Sequence, residues 1–217
     1  MTRALLPLLV LVAACATPTT EEAAPTPPPE AATPTPPGEP IDESAFSATQ
    51  WMADVRAAET DAERIALSER LLDAVDWRTA CGEDDPTNPG RGLVQLHEAG
   101  THTLAEVTCQ RAAYQSVFAL VDAAAGRPPR LVRSFTVTDD GEPTQNETVS
   151  FFGLVSTDAP GTFAVLTKSA GHGGCGTDVR YRLLADGGAE IAEVRAHPDC
   201  ADPLPPDDWP VTYRVTP

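Results

Sequence analysis

The sequence predicts an α+β fold, with two N-terminal helices packed on an antiparallel β-sheet or partly closed barrel and two disulfides holding it. Three observations carry this expectation. From Leu93 onward, short runs rich in β-branched and aromatic residues alternate with turn formers, at 93–97, 102–109, 113–121, 130–137, 148–156, 162–168, 178–185, 189–196 and 211–215. Upstream, residues 44–77 combine helix-start signals with apolar residues at helical spacing. Four of the five cysteines, Cys81, Cys109, Cys175 and Cys200, lie beyond these helices, and none belongs to a Cys-x-x-Cys pair. Their even number points to two disulfides and away from a thiolate metal site.

At the start of the chain, Arg3 precedes an apolar run from Leu5 to Val12 interrupted by Pro7, too short to span a bilayer. With Leu11-Val12-Ala13-Ala14-Cys15 it resembles a bacterial lipoprotein leader. The resemblance implies that residues 1–14 are a signal peptide and that Cys15 is acylated as the mature N-terminus. It also implies an envelope address, and Ala16 in place of aspartate after the cysteine implies the outer membrane. Residues 15–40 then form a lipidated, proline-rich tether. Its segment 16–40 holds nine prolines and no aromatic or large aliphatic residue, so nothing in it repays the entropy of ordering. Extended at ~3.1 Å per residue, such a segment spans about 75 Å. Residues 41–217 remain as a single domain of a size that supports a core.

Acidic residues outnumber basic ones 32 to 15, giving a net charge of -17. That argues against nucleic acid and anionic lipid head groups. The membrane is therefore expected to be reached through the N-terminal lipid, with an envelope protein or glycan as the remaining kind of partner.

Within the helical region Ser44 is positioned to cap the first helix, and Thr60 with Glu63 forms a capping box for the second. Phe46 and Trp51 give the first helix an apolar side; Leu67, Leu71 and Val75 do so for the second, and Trp77 follows it. Further on, a two-residue turn at Gly187-Gly188 predicts a hairpin in which paired residue numbers sum to 375. Val179 then faces Ala196, Tyr181 faces Val194, Leu183 faces Ala192 and Arg182 faces Glu193. The same register sets Cys175 opposite Cys200, where the ~4.5 Å Cα approach of a non-hydrogen-bonded pair permits a bridge. Cys81 and Cys109 pair by elimination. Near the end, Trp209 shares its parity with Val211, Tyr213 and Val215, which predicts a ring turned into the core.

Candidate chemistry is sparse. Glu83, Asp84 and Asp85 are consecutive and followed by Pro86, which fits a solvated loop better than the alternating ligands of a calcium loop. His97 and His102 are five apart, so they miss the helical His-Glu-x-x-His spacing. A two-residue turn at Ala99-Gly100 would instead make them cross-strand neighbours, which marks them as weak metal candidates. His172, within Gly171-His172-Gly173-Gly174-Cys175-Gly176, is a weak ligand-binding candidate. No nucleophile elbow, phosphate-binding loop or dinucleotide fingerprint occurs, so the sequence nominates no catalytic residue and no cofactor. The reading is a binding or structural module, with a metal-dependent or hydrolytic enzyme as the alternative.

Three signatures resemble a family of proteobacterial secreted or envelope proteins of unknown function. They are Cys109-x-x-Ala112-Ala113-Tyr114-Gln115, where the family has Cys-x-x-Gly-Ala-Tyr-Asn; Gly171-x-Gly173-x-Cys175-Gly176; and Cys200 followed by Asp208-Trp209-Pro210 and Tyr213-Arg214. The resemblance covers about residues 104–215. It departs from the family at Ala112, Gln115, His172 and Gly174. It implies an envelope address and a β-rich fold, and it supplies no catalytic residues.

Overall fold

The helices come first, and the two longer ones begin where a side chain satisfies amide donors that the helix itself leaves free. The computed structural model of the chain describes residues 46–82, 88 and 90–216, so the leader, the tether and the acidic loop at 83–85 lie outside the described residues. Helix α1, Ala48–Ala57, is capped by Ser47, whose hydroxyl accepts from Gln50 N–H, and not by the expected Ser44, which lies outside the described residues. Helix α2, Asp61–Leu72, carries the expected capping box: Thr60 Oγ1 accepts from Glu63 N–H while the Glu63 carboxylate accepts from Thr60 N–H at 2.8 Å. A four-residue helix α3, Arg78–Cys81, follows.

Trp51 and Trp77 are fully buried between these helices and the sheet. Both indoles keep a hydrogen bond there, Trp51 Nε1 donating to Leu67 C=O at 2.8 Å and Trp77 Nε1 to Ser68 C=O at 2.9 Å. Each large ring therefore buries its area without stranding its donor.

The rest is antiparallel sheet. In chain order the strands are β1 Val94–Ala99, β2 His102–Arg111, β3 Ser116–Asp122, β4 Arg130–Leu131, β5 Ser134–Val137, β6 Pro143–Thr148, β7 Ser150–Ser156, β8 Thr162–Lys168, β9 Gly176–Leu183, β10 Ala189–His197 and β11 Val211–Arg214. The main sheet runs β1-β2-β3-β7-β8-β9-β10-β11, with β4 also on β3, and β5-β6 forms a separate two-stranded sheet. It is an open sheet, so the barrel option of the sequence reading does not hold.

Strands β2 and β3 are covered on both faces. Ala105, Val107, Ala119 and Val121 meet the helices, while Leu104, Phe118 and Leu120 join a second core with Phe151, Phe163, Tyr181, Ile191 and Val194. Two disulfides are present, Cys81–Cys109 and Cys175–Cys200, with Cα separations of 5.1 and 5.0 Å. Cys109 is the extra residue of a bulge between Thr108 and Gln110, a device that re-aims a side chain, here toward α3.

Three local expectations are corrected. The β9–β10 turn is not Gly187-Gly188. Gly187 N–H donates to Leu184 C=O and Leu184 N–H to Gly188 C=O, closing a three-residue loop in which Gly187 takes the left-handed conformation at φ 84°. Tyr181 consequently faces Ile191, Leu183 faces Ala189 and Arg182 faces Glu190, and a bulge at Ala192 then sets Val179 against Val194. Cys200 lies beyond the end of β10, so its bridge to Cys175 is made by the following loop and not by ladder register.

The β1–β2 turn is likewise shifted by one residue, to Gly100-Thr101. Glycine at φ 72° in the first turn position matches a hairpin-type turn, whereas Ala99-Gly100 would have needed a type that splays the strands. Finally, Trp209 is buried at 2% exposure with Nε1 donating to Leu204 C=O, as expected, yet Val211, Tyr213 and Val215 after it are exposed. Strand β11 is the edge of the sheet, and Trp209 fills a place beside His197 instead of extending that strand's face.

Candidate functional site

The chain leaves the main sheet between β4 and β7, and the cleft made there is the candidate site. Val132 N–H still bonds Leu120 C=O on β3, but Arg133 C=O accepts from Ala189 N–H on β10, so the backbone crosses from one strand to another at this point. Hairpin β5–β6 then runs over the sheet face that carries the second core. Its tip closes through Gly141 N–H to Thr138 C=O, and Thr212 Oγ1 on β11 donates to Gly141 C=O at 3.3 Å. The return to the main sheet is sharp, with Thr148 Oγ1 donating to Ser150 C=O and accepting from Ser150 N–H. The hairpin is thus held at its base and its tip.

Between hairpin and sheet lies a cleft of about 440 Å³. Phe151, Val165, Val179 and Tyr181 supply apolar lining, and Thr136, Thr138, Thr148, Ser150, Thr167 and Thr177 supply hydroxyls. Phe135 and Phe152 line it while staying 39% and 43% exposed. Asp139 is the one charged side chain of the lining among the described residues. Burial pushes the Tyr181 phenol well above its usual range, and the neighbouring Ser134 hydroxyl offsets this only in part, so Tyr181 lines the cleft as a neutral phenol. Concave, largely apolar walls with a few convergent polar groups are the ordinary make-up of small-molecule sites.

The histidines are distributed elsewhere. His97 pairs with Leu104 on the ladder, and its Nε2 lies 2.8 Å from Glu106 Oε2. His102 sits opposite Ala99, with Nδ1 at 2.8 Å from the buried Asp122 carboxylate, which also accepts from Arg127 at 2.9 Å. The expected facing of His97 and His102 is therefore replaced by two separate His–carboxylate pairs. Among the described residues no three His, Cys, Asp or Glu side chains group in a way that could hold a metal ion.

His172 is used locally, its Nδ1 accepting from Gly174 N–H at 2.9 Å. Its loop meets the Tyr114-Gln115 segment: the Tyr114 ring stands against Gly171, and the Gln115 side chain bonds both backbone groups of Lys168. Two of the signature segments singled out in the sequence thus touch in space, outside the cleft. The sequence marks the cleft itself only faintly. Its visible trace is Phe135-Thr136-Val137-Thr138, an alternation of apolar and hydroxyl residues that reads equally well as any half-buried strand.

Compared with protein-family models, curated proteins and solved structures, the chain matches none.

Proposed function

We propose that this chain is a lipid-anchored envelope protein whose folded domain is a binding module, with the cleft beneath the β5–β6 hairpin as its ligand site. The cleft carries the reading: its volume of about 440 Å³ lies in the ordinary range for small-molecule sites, and its lining combines apolar walls with uncharged hydroxyls. The address draws on the leader-like segment ending at Cys15 and on the resemblance of residues 104–215 to secreted and envelope proteins. Two disulfides support an oxidising compartment. Anchoring is through the acylated Cys15 to the outer membrane, facing an envelope protein, glycan or small ligand and no nucleic acid.

The alternative, a hydrolytic or metal-dependent enzyme, draws on the part-buried His102–Asp122 pair. It has less support, because the third member of that cluster is Arg127, a cation, and no Ser or Thr hydroxyl bonds His97, His102 or His172 among the described residues.

Two measurements test the proposal. Cys15→Ala is expected to release the protein from membranes and to block lipid labelling; persistent membrane association would overturn the anchor. Equilibrium dialysis of the purified chain against small-molecule extracts of envelopes is expected to enrich a compound, and a rim-filling Thr136→Trp variant is expected to lose it. Enrichment that survives this substitution would remove the cleft from the proposal.

A further inference from the structure

We infer that the cleft binds a small organic monocation with an apolar body, of the quaternary-ammonium type. This rests on the cleft being the ligand site and adds the charge of what enters it. The argument is charge complementarity. Asp139 is the sole charged lining residue among those described and stands exposed on the hairpin, so the lining offers an entering ligand one acid and no lysine or arginine. An anion would find no counter-charge there. It would also approach a chain of net charge -17, whose field repels anions and concentrates cations.

The aromatic lining favours the same sign. Phe135 and Phe152 are the partly exposed rings of the lining, while Phe151 and Tyr181 are buried in its walls with one face each stacked on Phe118 and Phe163. Ring faces carry the negative end of the aromatic quadrupole and attract cations, most effectively cations that are weakly hydrated, as quaternary ammonium ions are. The Thr177 hydroxyl adds hydrogen-bonding capacity without charge, and Thr167, whose hydroxyl donates to Phe152 C=O at 2.6 Å, adds an acceptor.

Three probes of one shape but different charge test this on the purified full chain: choline, 3,3-dimethylbutan-1-ol and 3,3-dimethylbutanoate, titrated at equal ionic strength and followed by ligand-observed NMR. Choline is expected to bind saturably and ~5-fold or more tightly than the alcohol, with no saturable binding of the carboxylate. Asp139→Asn, at an exposed position, is expected to weaken choline ~3- to 10-fold and to leave the alcohol unchanged, while Thr136→Trp abolishes both. Equal binding of choline and the alcohol, both lost in Thr136→Trp, would overturn the cation inference and leave the cleft as the ligand site. Choline binding that survives Thr136→Trp would also overturn it, and saturable binding by none of the three would sink the cleft reading with it.

Discussion

Gln115 lays its side-chain amide along the backbone of Lys168 as a neighbouring strand would, Oε1 accepting from Lys168 N–H at 2.9 Å and Nε2 donating to Lys168 C=O at 3.0 Å. The two residues are 53 apart in sequence, and Lys168 ends β8 just before the loop that carries His172. Removing the amide in Gln115→Ala leaves a part-buried peptide donor and acceptor unpaired, at ~2–3 kcal/mol. Gln115→Glu restores one of the two bonds but points a carboxylate at a carbonyl, so it is expected to be no better than alanine. Urea unfolding of both variants checks this, and a midpoint equal to wild type in Gln115→Ala would show the clamp to be dispensable.

Trp209 and Tyr213 are four residues apart with opposite fates, one 2% and the other 36% exposed. Emptying the Trp209 site with alanine is expected to cost ~3–5 kcal/mol, the range for a buried large aromatic, and to lower the yield of folded protein. Tyr213→Ser on the edge strand should stay within ~0.5 kcal/mol. Thermal denaturation of the pair separates a buried aromatic from an exposed one, and similar losses from both would contradict the exposed placement of β11.

Asp178 supplies a pH test. It is 9% exposed on β9, and burial raises its carboxyl pKa above the ordinary value, against the pull of Arg180 whose Nε is 3.6 Å away. A carboxyl with a raised folded-state pKa binds its proton more tightly folded than unfolded, so its contribution falls as pH rises from the ordinary pKa through the raised one. Asp178→Asn, which mimics the protonated form, should therefore raise the melting temperature at pH 7, and the gain should vanish as pH falls below 3.8. A loss of stability at pH 7 would show that the Arg180 and Arg195 pairing outweighs the burial.

The fold was more readable than the site, for reasons visible in particular residues. Strand β8 is read at its observed bounds, Thr162–Lys168, because its apolar residues sit between plain turn signals. The capping box at Thr60 is local chemistry and is equally plain. The β9–β10 register is not legible from Gly187-Gly188 because turn type depends on which glycine turns left-handed: Gly187 does so at the third loop position, a choice its dipeptide does not reveal. Strand β6 escaped notice because Gln145, Asn146 and Glu147 are exposed and give no apolar alternation. The 130–137 run is two strands, β4 and β5, because the backbone changes partners at Val132 and Arg133. Those last two features build the cleft, so a reading keyed to apolar pattern passes over the elements that make it.

Strand β3 is a partition wall, with helices on one face and β7–β10 side chains on the other, and its residues Phe118 to Val121 are fully buried. A wall is covered only when both rooms are built. Until the N-terminal helices and the C-terminal strands have both arrived, Val117-Phe118-Ala119-Leu120-Val121 is an uncharged, proline-free segment of high β-propensity, the composition that seeds intermolecular pairing. The pairing hazard of this strand is therefore relieved only by elements drawn from both ends of the domain.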